Sequence, residues 1–117
     1  MFYTTLVGRS FALCAPVAAS FNERALGLMH PSARAGALVL PHCRSIHTVG
    51  MRYSIDVAFV DAHNQVCKVC HALPPGHVAA CLRASYVLER RASPAPWFEV
   101  GEQLVTHETG VSPWEKS

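Results

Sequence analysis

The chain has 117 residues, half of them hydrophobic and 15% charged. That is enough for one packed domain, too little for two independent cores, and too apolar for a chain disordered along its whole length. Ten basic against eight acidic residues leave a formal +2 with no basic run. This gives no support for a charged nucleic-acid-binding face, and no apolar stretch reaches the roughly 18 residues of a membrane-spanning helix.

Phe2 to Val7 carries β-branched and aromatic residues up to Gly8 and reads as a first strand. Phe11 to Ala15 is a second, stopped by Pro16. Ser20-Phe21-Asn22-Glu23 is a capping-box pattern, and Phe21, Ala25 and Leu28 then share one helical face, so a short helix of about two turns is expected before Pro31. Ala37 to Leu40 is a wholly apolar strand ended by Pro41; Ile46 to Val49 is another, with Gly50 as a bend. The strongest strand is Ser54 to Val60, in which Ile55, Val57 and Phe59 share one face and Asp56, Ala58 and Val60 the other. The polar loop Asp61-Ala62-His63-Asn64 turns it into a hairpin partner, Gln65 to His71. Leu73-Pro74-Pro75-Gly76 signals a loop, Tyr86 to Glu89 a further strand, and Val100 to Val105 a last turn and strand. From Thr106 a mobile tail is expected.

The cysteines, Cys14, Cys43, Cys67, Cys70 and Cys81, are odd in number and irregularly spaced. They make a poor disulfide framework and suit a reducing compartment. Phe11 to Ala19 is mostly apolar and ends in Val17-Ala18-Ala19, a small-residue pattern compatible with a cryptic signal peptide ending near Ala19. It lacks a basic region before it, and Pro16 interrupts it, so the expected location is cytoplasmic.

Cys67-Lys68-Val69-Cys70-His71 matches the C-x-x-C-H pattern of c-type haem attachment. In a regular strand, however, residues 67 and 70 point to opposite faces with Cα atoms about 10 Å apart, badly placed for one macrocycle. The expectation is that Cys67 and Val69 pack inward while Lys68 and Cys70 face outward. His42, Cys43, His47, Cys67, Cys70 and His71 contain enough ligand atoms for zinc, with Cys43/His47 and Cys67/Cys70 at paired spacings, but Lys68-Val69 forms strand rather than the turn of a zinc knuckle. No cofactor or metal is expected. Cys43, His47 and Asp56 together have the chemistry of a thiol- or metal-dependent enzyme, the alternative to a binding function, although nothing in their spacing enforces approach.

Asp56 is the odd residue of the chain: a carboxylate in mid-strand needs a sheet surface or a partner. Read structurally, it ties the Gly50–Tyr53 bend to the sheet, with Arg52, His47 or backbone N–H groups as partners. Read functionally, His47, Met51, Arg52 and Asp56 line a small polar pocket, with Met51 as an adaptable apolar wall.

Several linked motifs resemble the DUF192 (UPF0127) family. Glu23-Arg24-Ala25-Leu26-Gly27-Leu28-Met29 is similar to its "ER-x-x-GLM" signature. Ile46-His47-Thr48-Val49-Gly50-Met51 through Ile55-Asp56-Val57-Ala58-Phe59-Val60-Asp61 resembles its central core. Leu73-Pro74-Pro75, Tyr86-Val87-Leu88-Glu89 and Val100-Gly101-Glu102 match its later landmarks in order. Arg91-Ala92-Ser93 departs from the family, which places glycine there. The resemblance implies a compact, barrel-like, mainly β antiparallel domain with one short α-helix, and no established activity. With the strand count, the expectation is a single domain over residues 1–105 and a tail over residues 106–117. The function expected is that of a non-enzymatic binding or accessory module for a partner protein or small molecule, using the His47–Asp56 face.

Overall fold

The computed structural model describes residues 3–18 and 36–109; the expected helix from Ser20 lies outside them. Nine strands run through the described residues, in chain order β1 (Tyr3–Val7), β2 (Ala12–Pro16), β3 (Ala37–Pro41), β4 (Ser45–His47), β5 (Ile55–Asp61), β6 (Val66–Leu73), β7 (Val78–Ala80), β8 (Ala84–Arg91) and β9 (Val105–Thr109). They form three antiparallel sheets, ordered β2-β1-β9, β3-β8-β5-β6 and β4-β7. The fold is mainly β as expected, but these are open sheets and not a closed barrel.

The four-stranded sheet is the frame, and β5 is its centre. From Ile55 to Val60 every residue of β5 is buried, the signature of a strand covered on both faces. Ile55, Val57 and Phe59 pack in one apolar cluster with Leu38, Met51 and Val87. Ile46 of β4 and Ala79 of β7 cover that side. Ala58 and Val60 pack in a second cluster with Leu6, Ala15, Leu88, Trp97 and Phe98, so the β1 sheet and an aromatic segment cover the other. Phe11 stacks on Phe98 with ring centroids 4.5 Å apart, which fixes the β1–β2 turn to that segment.

β6 is not a regular strand, and the reason decides where its cysteines point. Phe59 pairs with Lys68 but Val60 pairs with Val66, so Cys67 is an extra residue in a bulge. The bulge flips the alternation. Val66 and Val69 therefore both pack on the second cluster, whereas Cys67 and Cys70 both pack on the first. The expectation that Cys67 and Val69 face inward while Cys70 faces outward is corrected: the two thiols lie on the same side, and the regular-strand objection to the haem pattern falls with it. A second shift lies between Ile55 and Val57, where Asp56 faces His71 and Ala72. There Ala72 takes a left-handed φ of 50°.

Two further corrections concern short or polar strands. The chain does not become a tail at Thr106. β9 continues from Val105 to Thr109 and pairs along the whole of β1, from Val7↔Val105 to Tyr3↔Thr109; partnering β1 holds a segment whose own residues are mostly polar. β7 was not expected at all. It pairs with β4 through Ile46↔Ala79, and the buried Thr48 secures the loop leading into it. Thr48 Oγ1 donates to the Pro74 carbonyl at 2.6 Å and accepts from His77 N–H at 2.8 Å.

Candidate functional site

The structure scatters the residues that the sequence brought together. His47 and Arg52 are exposed, while Met51 is buried in the first cluster. Asp56 projects to the other face of β5, the one it shares with Ala58 and Val60. Its Oδ1 accepts from Ala72 N–H at 2.9 Å. Its Oδ2 accepts from Arg90 Nε at 2.9 Å and from Ser93 N–H at 3.3 Å. Thus Asp56 has a structural task, but at a different place from the expected one: it holds the second shift of β6 at Ala72 and the Arg91–Ser93 turn rather than the Gly50–Tyr53 bend. The turn that lacks the family's glycine is fastened here by a carboxylate.

Arg90 extends the same network. It sits directly across from Asp56 in the β5–β8 register. Its guanidinium also donates to the carbonyls of Ala95 at 2.7 Å and Pro96 at 2.9 Å. The guanidinium carbon lies 4.5 Å from the centroid of Trp97, a stacking geometry that suits the planar cation. One part-buried ion pair thus organises the loop that delivers Trp97 and Phe98 to the core. With both carboxylate oxygens engaged, Asp56 is not poised to orient a catalytic histidine. The Cys43 thiol donates to the Ser45 carbonyl at 3.1 Å. Among the described residues, no three His, Cys, Asp or Glu side chains gather as a metal site.

A different arrangement has the form of a binding site. At the end of the four-stranded sheet where the β5–β6 loop meets β8 and the exit of β3, a cleft of about 460 Å³ opens. Leu6, Val17, Val39 and Pro41 supply its apolar wall. His42, Asp61, Asn64, Ser85 and Tyr86 supply its polar groups. A neighbouring depression of about 430 Å³ shares His42 and Ser85 and adds Arg44. Such a combination of apolar wall and convergent polar groups characterises small-molecule sites.

The cleft is built from local constraints that each have a cause. Tyr86 stands opposite Pro41 on one side and Val60 on the other, which puts its ring at the sheet end. Burial, and next the charge of Asp61, push its phenol well above the usual range. The hydroxyl is therefore a neutral donor, and it donates a hydrogen bond to Asn64 Oδ1 at 3.0 Å. Asp61 caps its own loop: Oδ1 accepts from His63 N–H at 2.9 Å and Gln65 N–H at 3.0 Å. The Gln65 N–H bond, ahead of that from His63, holds the carboxyl below its ordinary value, so it stays ionised. His42 and Asn64 both have left-handed backbones, with φ of 52° and 62°. Non-glycine residues in that region are uncommon and concentrate at turns and functional sites.

Two other carboxyl groups lie inside the fold. Glu102 accepts from Arg9 N–H and from Glu99 N–H, which clips the β1–β2 turn to the segment after Phe98. Glu89 lies between Leu38 and Val57 in the sheet register, is almost fully buried, and has no partner at Oε2. Burial raises its carboxyl from 4.5 to about 7.

The chain belongs to the DUF192 family, described as "Uncharacterized ACR": the family profile matches residues 4–104. Two solved structures share the mainly β architecture. One, a protein of unknown function from Novosphingobium aromaticivorans, superposes with a TM-score of 0.69 at 17% identity, covering 88% of this chain and 83% of that one. The other, from Sinorhizobium meliloti and provisionally described as a transcription regulator, has a TM-score of 0.68 at 16% identity, covering 91% of this chain and 94% of that one. At such identities the likeness establishes the fold. No curated protein matches the chain. Among the described residues no helix is long and apolar enough to cross a membrane.

Proposed function

We propose that this DUF192 domain is a non-enzymatic binding module for a small polar molecule, held in the cleft between the β5–β6 loop, β8 and the exit of β3. The observation that carries the reading is the convergence of His42, Asp61, Asn64 and Tyr86 over an apolar wall. Asp56, the most unusual polar residue of the expected site, is by contrast saturated by Arg90 and backbone amides. The ligand chemistry that suits the cleft is a compact, partly apolar molecule bearing hydroxyl or amino groups. Asp61 offers an ionised acceptor, and the Tyr86–Asn64 pair offers a hydrogen-bonded edge. The exposed His47 and Arg52 then belong to a separate surface rather than to the pocket. The odd number and irregular spacing of the cysteines support a cytoplasmic, reducing location.

The test is a titration of the labelled protein with small hydroxylated and amino-bearing fragments, followed by backbone amide shifts. Binding should move the amides of Asn64, Ser85 and Tyr86, and Tyr86→Phe should weaken it several-fold without changing the fold. Fragments that perturb only the His47–Arg52 face, or none that bind anywhere, would overturn the cleft as the site.

A further inference from the structure

The bulge in β6 has a chemical consequence. It turns Cys67 toward the residue that follows β7, and the Sγ atoms of Cys67 and Cys81 stand 3.2 Å apart. That contact is not isolated. Next to it, Lys68 Nζ donates to the Ala80 carbonyl at 2.8 Å, and Cys81 N–H donates to the Arg44 carbonyl at 2.8 Å. The backbone on both sides of the sulfurs is therefore tied independently of them. Both cysteines are only half-buried, and Cys81 leads into the exposed Leu82 and Arg83. A closed pair in a covered core would be inert; this one lies at the rim, where a dissolved reagent can reach it.

We propose that Cys67 and Cys81 are a redox site that converts reversibly between a dithiol and a disulfide by exchange with a low-molecular-weight disulfide such as oxidised glutathione. Cys81, deprotonated, attacks one sulfur of glutathione disulfide and expels one glutathione thiolate, leaving a mixed disulfide. Cys67 then gives up its proton to solvent, and its sulfur attacks that of Cys81, expelling the second glutathione. Two protein thiols and one glutathione disulfide become one protein disulfide and two molecules of reduced glutathione. The order of events follows from the surroundings. Burial, and then the hydrogen bond with Cys81, push the Cys67 thiol up to about 11. Cys81, beside the exposed Leu82 and Arg83, is the sulfur that a dissolved disulfide meets first, and Cys67 acts second at a sulfur already in contact. The bond would fasten β6, the edge of the four-stranded sheet, to the end of the β4–β7 ribbon. Cys70, on the same side of β6, has no such partner sulfur among the described contacts.

The test is equilibration of the full chain in glutathione buffers of rising oxidised fraction, with intact mass and peptide mapping under non-reducing conditions. The expected product has lost two hydrogens and carries one link, between Cys67 and Cys81, that dithiothreitol removes; Cys70→Ala should leave it unchanged. Cys81→Ala should lose the two-hydrogen change, with its fold checked in the reduced state. If that variant does not fold, the link found in the unaltered chain decides alone. A stable glutathione adduct at Cys81, a link through Cys43 or Cys70, or no link at any buffer ratio would overturn the proposal.

Discussion

Neutralising Glu89 should stabilise the protein in alkaline solution and leave it unaffected in acid. The carboxyl lies between Leu38 and Val57 with one oxygen unpartnered, and burial raises it from 4.5 to about 7. Below the unfolded value both states are protonated and Glu89 costs nothing. As the pH rises from there to the folded value, the unfolded chain releases a proton that the folded chain retains, so stability falls. Above about 7 both states are ionised and the cost is complete. At ~1.4 kcal/mol per unit, the shift corresponds to about 3 kcal/mol. Glu89→Gln keeps the shape and removes the charge. Urea denaturation followed by tryptophan fluorescence should show variant and parent with similar stability near pH 4. The variant should gain up to about 3 kcal/mol near pH 8, most of it between pH 5 and 7. Parallel pH profiles, or a variant less stable at alkaline pH, would refute the reasoning, because the carboxylate would then be ionised and well paired inside the fold.

Three other substitutions probe the ties that shape the fold. Asp56→Asn leaves the part-buried Arg90 without its counter-charge and should cost about 1.5–3 kcal/mol, with a red shift of Trp97 emission as the Ser93–Trp97 loop loosens. Gly8→Ala drives a Cβ into Glu102 Oε2 and to 2.9 Å from the Phe98 ring; denaturation should show a loss of about 1–3 kcal/mol. Thr48→Val removes the hydroxyl that holds Pro74 and His77. It should cost about 1–3 kcal/mol, and amide exchange at His77 should accelerate while exchange along β5 does not.

Much of the framework was legible because local pattern and tertiary role agree. Ile55 to Val60 is apolar on both faces apart from Asp56, and it became the covered central strand. What escaped depended on partners far along the chain. Val78-Ala79-Ala80 is short and weakly strand-forming, and it is ordered by pairing with β4 and by Thr48. Thr106 to Thr109 is polar and looks like a tail until β1 lies beside it. A bulge adds one residue without changing composition, so the facing of Cys67 and Cys70 could not be read from spacing. Asp56 was recognised as needing a partner, but that partner, Arg90, is 34 residues away. The cleft was harder still. Tyr86 reads as an ordinary strand aromatic and Asn64 as an ordinary loop residue, and only the β5–β8 register brings them together. The legible clue was the Asp61–Asn64 loop, whose carboxylate and amide sit where that hairpin turns.

The antiparallel match of Tyr3 with Thr109 means that the two ends of the described body are neighbours across a single ladder. A short peptide could bridge them, and new termini could then be opened at an exposed turn away from the cleft, giving a circular permutant with the same strand pairings. β1 and β9 are the first and last of the described strands, so β1 acquires its second neighbour only after all the strands between them have been synthesised. Closing that ladder carries the loop-closure entropy of the longest sequence separation among the described strand pairs.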